Sequence, residues 1–182
     1  MLSDYMALRK VNLTACSERI AQLYLSAING IESVLKIIYP KLASDYHAAE
    51  FAKALLKDDD FDRSQAVRVV AGQDLDDLIP FQGLSESKDG IPRWWSDHNE
   101  LKHDRMRNFE KAQLGNLLDA MAAYFYLANL FMVKSRVRWE QESGKGNRDA
   151  YDTPDKRSTM FKLVEWSPHY QEFSLVGLTI SK

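Results

Sequence analysis

Apolar residues recur mostly at steps of three and four through Leu8, Val11, Leu13, Cys16, Ile20, Leu23, Ala27, Ile31, Leu35 and Ile38. That spacing puts them on one stripe of a helix. It predicts a long amphipathic helix from Ser3 to Tyr39, capped by Ser3 or Asp4, bent near Thr14 or Gly30 and stopped by Pro40. Tyr46, Ala49, Ala52 and Leu56 predict a second, shorter helix from Ser44 to Leu56, with Ser44 as its cap. A much broader apolar face follows later: Leu114, Leu117, Leu118, Met121, Phe125, Leu127, Ala128, Phe131 and Met132. It predicts the clearest helix of the chain, from Glu110 to Glu140, on which Ala120, Ala122 and Ala123 allow close approach of another helix. The first and last of these helices are expected to pack antiparallel. Between them, Pro92 opens a helical stretch from Arg93 to His103, a position that suits proline because its missing N–H would be unpaired there.

The remaining segments break the helical period. Lys57–Arg63 (KDDDFDR) carries four aspartates, but Asp58, Asp59 and Asp60 are consecutive and no turn glycine or late glutamate follows. A calcium loop needs both, so the segment reads as a solvated break. Ala66–Val70 (AVRVV) suits a short strand or a helical turn, and 57–90 as a whole reads as an irregular excursion. Its length is unusual for a compact domain. Residues 143–160 are rich in glycine and mixed charge and predict a flexible loop. Phe161–Trp166 and Phe173–Ile180, with a turn at Ser167–Tyr170, predict a C-terminal β-hairpin over 161–182. The fold class expected is therefore all-α, a bundle of four to five helices plus a small hairpin, forming one domain over 1–182.

Composition narrows the class without naming a function. The 182 residues suit one domain. A formal charge of -2 argues against a surface built wholly for nucleic acid. One cysteine, Cys16, rules out an internal disulfide and suits a reducing compartment. Its place in an apolar pattern predicts a small buried side chain. The N-terminus lacks a basic region followed by an apolar run, which predicts no secretory signal. Ala120–Val133, interrupted by Asn129, is too short for a membrane span and reads as a buried helix. The expected location is cytoplasmic.

Chemistry concentrates in Pro92–Arg107, PRWWSDHNELKHDRMR. On a helix, Asn99 and His103 lie one turn apart and share a face with Trp95. Trp94, His98 and Leu101 form the adjacent stripe, with Lys102 one turn beyond His98. Imidazole can move a proton near neutral pH, and lysine and arginine hold phosphate. His98 and His103 diverge on a helix and no paired-cysteine pattern exists, so no metal or other cofactor is expected. Trp94 and Trp95 read equally as structural anchors of the core.

Trp94-Trp95, Asn99, then Lys102-His103, ahead of an alanine-rich apolar helix at 112–130, resemble the HEPN-like superfamily (higher eukaryotes and prokaryotes nucleotide-binding). The likeness is to its uncharacterised bacterial members with a WW–N–KH signature, and it extends over Ser3–Trp139. The resemblance implies a helical bundle, often a homodimer. Many members are metal-independent endoribonucleases of defence or toxin–antitoxin systems, and others bind proteins or nucleotides without catalysis. The catalytic pattern is an arginine, a polar residue, three variable residues and a histidine. Here Asn99 and His103 keep the second half of that pattern, but His98 stands where the arginine belongs. The alternative register, Arg93 to His98, puts Trp94 at the polar position.

Two functions follow as expectations. One is a non-catalytic HEPN-like interaction module, dimeric or bound to a protein partner, with Asn99 and His103 buried and hydrogen-bonded. The other is a ribonuclease with His103 as acid or base, Asn99 as orienter, and Lys102, Arg105 and Arg93 as phosphate contacts, all converging in an open cleft with RNA as the partner.

Overall fold

A computed structural model describes residues 7–42, 48–72, 74–85, 87, 90–143 and 158–166, with side chains described to 135 in the long final helix. Among these residues the chain is mainly helical, with four α-helices and one two-stranded antiparallel sheet. The helices are α1 (Glu18–Ile38), α2 (Ala48–Leu56), α3 (Arg93–His103) and α4 (Leu114–Ser143), and the strands are β1 (Val67–Val69) and β2 (Phe161–Leu163). Short 3-10 turns at Lys10–Asn12, Pro40–Leu42 and Phe109–Lys111 flank α1 and α4.

The first helix starts later than its apolar period predicts. Residues 13–16 leave the helical path because their carbonyls are used elsewhere. The Leu13 and Ala15 carbonyls accept the Gly115 and Leu114 amides at 2.8 and 2.9 Å, and Cys16 forms an isolated bridge with Gln113. The first amides of a helix have no partner within it, and here the segment before α1 supplies two. Ser17 then caps α1, its hydroxyl accepting the Ile20 amide at 3.1 Å. Cys16 is thus half-buried in extended chain rather than enclosed on a helix, and Val11, placed on the predicted stripe, is exposed. From Ile20 onward the chain is helical; Ile20, Ile31 and Leu35 of the predicted stripe are buried, Leu23, Ala27 and Ile38 are half-buried, and Tyr24 and Ile28 are buried beside them.

The direction of the main helix pair is also corrected. The residues preceding α1 touch the start of α4, Gly30 lies against the Tyr124 ring, and past the end of α1 Tyr39 reaches Asp58, which binds Lys134. α1 and α4 therefore run parallel, not antiparallel. An apolar stripe carries no polarity, since ridges fit grooves in either direction, and the long connection from Tyr39 to Gln113 lets the chain return to the starting end. α3 makes that return. Its first turn meets Tyr24 in mid-α1, its last turn meets Lys111, and Arg105 just past its end meets Glu18, so α3 is the antiparallel member of the bundle.

The acidic segment after α2 is not a solvated break. Lys134 Nζ lies 2.8 Å from Asp58 Oδ1 and 2.7 Å from Asp60 Oδ2, and the Tyr39 hydroxyl donates to Asp58. Lys134 thus ties this loop to α4, which continues to Ser143. β1 pairs with β2 in the register Val67↔Leu163, Arg68↔Lys162 and Val69↔Phe161. The first arm of the expected hairpin therefore has its described partner far upstream, and the second arm, 173–180, lies outside the described residues, as does most of the loop at 143–160. Leu114–Ser135 is long and apolar enough to cross a membrane, but two-thirds of it is buried against the rest of the chain, which is the environment of a core helix.

Candidate functional site

α3 divides its residues between core and surface. Trp94 and Trp95 are buried and stack with centroids 5.4 Å apart. The Trp94 indole N–H donates to the Pro80 carbonyl at 2.6 Å, and the Tyr24 hydroxyl donates to the Trp94 carbonyl. Trp95 is enclosed without a partner for its indole N–H. The pair fixes α3 against α1 and against the Pro80–Phe81 turn.

His98 belongs to this enclosed face. It is 1% exposed, packs edge-on to the Tyr24 ring at 6.1 Å, and its Nδ1 has no partner. Burial lowers its pKa to about 4, the charges of Lys102 and His103 acting the same way and a hydrogen bond with Asn99 opposing them. The imidazole is neutral at physiological pH and has no open path to a substrate. Burial, with Asp97 and Asp119 nearby, likewise pushes the Tyr24 hydroxyl far up.

The seam between α3 and α4 is polar and satisfied. Asp97, 8% exposed, accepts Arg93 Nε at 3.2 Å and Asn116 Nδ2 at 2.9 Å on one oxygen, while Lys111 Nζ lies 3.5 Å from the other. Lys111 also binds Glu100. A buried carboxylate needs such partners, and Asp97 has three. Its place on the Arg93 face of α3 is the only trace it left in the sequence.

Only some of the residues expected to carry chemistry come together in the chain. Asn99 is half-buried, Lys102 and His103 are exposed, and Arg105 is held by Glu18. Arg93 is exposed at the opposite end of α3, roughly 14 Å along the axis from Lys102 at about 1.5 Å per residue. The exposed edge is thus Asn99, Lys102 and His103 alone. Neither expected arrangement is met, because His103 is not buried and the cations do not share a cleft.

A pocket of about 310 Å³ opens instead at the N-terminal end of α3, between Pro80, Gln82, Pro92, Arg93, Trp94 and Asp119. Asp119 reaches it from α4. It forms no hydrogen bond or ion pair among the described residues. Burial raises its pKa from 3.8 to about 6, and only the Arg93 charge opposes this. Sequence reading passed over Asp119, although a lone carboxylate inside the apolar run 114–133 was the available signal. Among the described residues, no group of three or more His, Cys, Asp or Glu side chains is placed to hold a metal ion.

Comparison with protein-family models, with curated proteins and with solved structures gave no match.

Proposed function

We propose that the chain is a non-catalytic HEPN-like interaction module of the cytoplasm, acting as a homodimer or as the subunit of a protein complex. The observation that carries this reading is the separation of the arginine and histidine that the catalytic pattern would pair. Arg93 is turned to Asp97 at the surface, and His98 is shut against Tyr24 in its neutral form. A general base must reach the proton it removes, and His98 cannot. Ile37 on α1 and Tyr124 and Met132 on α4 remain exposed and supply apolar area of the kind that association covers.

One observation favours the second reading, a metal-independent ribonuclease. His103 and Lys102 stand together on an open edge with Asn99 one turn behind, so a partner subunit could bring the missing arginine to them. A cleavage assay on varied RNAs without metal, comparing wild type with His103→Ala, separates the two. The module reading expects no cleavage from folded wild type and a dimer or larger complex by sedimentation. Cleavage lost in His103→Ala overturns it.

A further inference from the structure

Asp119 is a half-buried carboxylate lining the pocket, with no hydrogen bond or ion pair among the described residues. Asp97, Asp58 and Asp60 are each met by a lysine, an arginine or an amide. An unpaired carboxylate in a concave site is a candidate for ligand contact. Arg93 lines the same pocket with the opposite charge. Arg93 uses Nε on Asp97, which leaves its two terminal nitrogens with no partner among the described residues. Pro92 precedes it as an N-cap that offers no side-chain hydrogen bond, so the first amides of α3 lack a capping side chain there, and a helix N-terminus attracts anions. The pocket is therefore lined by an unpaired carboxylate and by an exposed guanidinium that meets Asp97 through Nε alone, beside Pro80, Pro92 and Trp94. Its volume is at the small end of ligand sites, which fits a compact molecule rather than a nucleotide.

We propose that this pocket binds a small zwitterion, its cationic nitrogen seated on Asp119 and its carboxylate held by Arg93 at the start of α3. Asp119 and Arg93 are the charged side chains that line the pocket, and Pro80 and Pro92 offer no competing N–H there. The inference uses neither Asn99 nor His103, and shares only Arg93 with the ribonuclease reading.

The test is a titration of the full chain with glycine, β-alanine, γ-aminobutyrate, 5-aminovalerate, L-lysine and L-arginine, followed by NMR at the Trp94 indole N–H. The expected result is saturable movement of that signal by at least one of the six. Asp119→Asn and Arg93→Gln should each weaken it at least about tenfold, the scale of a lost charge-assisted contact. n-Butylamine and butyrate, each carrying one of the two charges, should bind correspondingly less well. The proposal is overturned if none of the six moves the signal at millimolar concentration, if both variants bind as wild type does, or if a singly charged compound binds as tightly as the best zwitterion.

Discussion

Replacing Asp119 with asparagine removes a half-buried charge while keeping the shape of the side chain. In the folded protein this carboxyl has a pKa of about 6 against an ordinary 3.8, burial being the cause. A raised carboxyl pKa means the folded state holds its proton more tightly than the unfolded state. Between pH 4 and 6 the unfolded chain releases that proton first, so stability falls as pH rises, and above pH 6 the full penalty is in place. At about 1.4 kcal/mol per pH unit, a rise from 3.8 to about 6 amounts to about 3 kcal/mol. Asp119→Asn should therefore gain nothing near pH 4, a growing amount up to pH 6, and up to about 3 kcal/mol at pH 8. For a chain of this size that is an increase of about 6–12 °C in Tm. Urea unfolding followed by tryptophan fluorescence at pH 4, 6 and 8 measures it, since Trp94 and Trp95 report the core. A gain that is the same at all three pH values, or a loss of stability at pH 8, refutes the reasoning.

Other expectations follow from the same structure. His98 has the opposite sign: a folded pKa of about 4 against 6.5 means its contribution, about 3 kcal/mol, is complete above pH 6.5 and is lost as pH falls to 4. An NMR titration should show the His98 imidazole with a midpoint near 4, and a midpoint near 6.5 would mean the side chain is not enclosed. Ser17→Ala should cost about 1 kcal/mol in urea unfolding through loss of the α1 cap, and an unchanged midpoint would place the start of α1 elsewhere. Lys134→Met should cost about 1–3 kcal/mol by leaving Asp58 and Asp60 without their cation. Adding Asp58→Asn and Asp60→Asn should recover part of that loss, and strict additivity of the three changes would count against the cluster.

The legible parts of the fold were those set by local pattern. α3 is bounded by Pro92 on one side and by the loss of apolar residues after Leu101 on the other, and its limits match the reading from sequence. The start of α1 was hidden because the apolar period continues back through Leu13 and Val11, while the carbonyls of 13 and 15 are diverted to α4 by contacts about a hundred residues away. The relative direction of α1 and α4 was hidden for the same reason, and so was the pairing of β1 with β2. Of the candidate site, the burial of Trp94 and Trp95 followed from their size. The enclosure of His98 rather than His103 depended on which side of α3 met Tyr24, and that is decided by tertiary packing. Asp119 was visible as an oddity in an apolar helix, but its pocket is formed by the Pro80–Gly83 turn, which no local pattern places there.

The parallel seating of α1 on α4 bears on how the chain is made. Ile38 and Leu114 are separated by 75 residues, and synthesis at about 5–20 residues per second takes about 4–15 s to cover that distance. For all of that interval α1 is complete while its main cover does not yet exist. The stripe of Ile20, Tyr24, Ile28, Ile31 and Leu35 waits in the nascent chain without the helix that covers it in the folded protein.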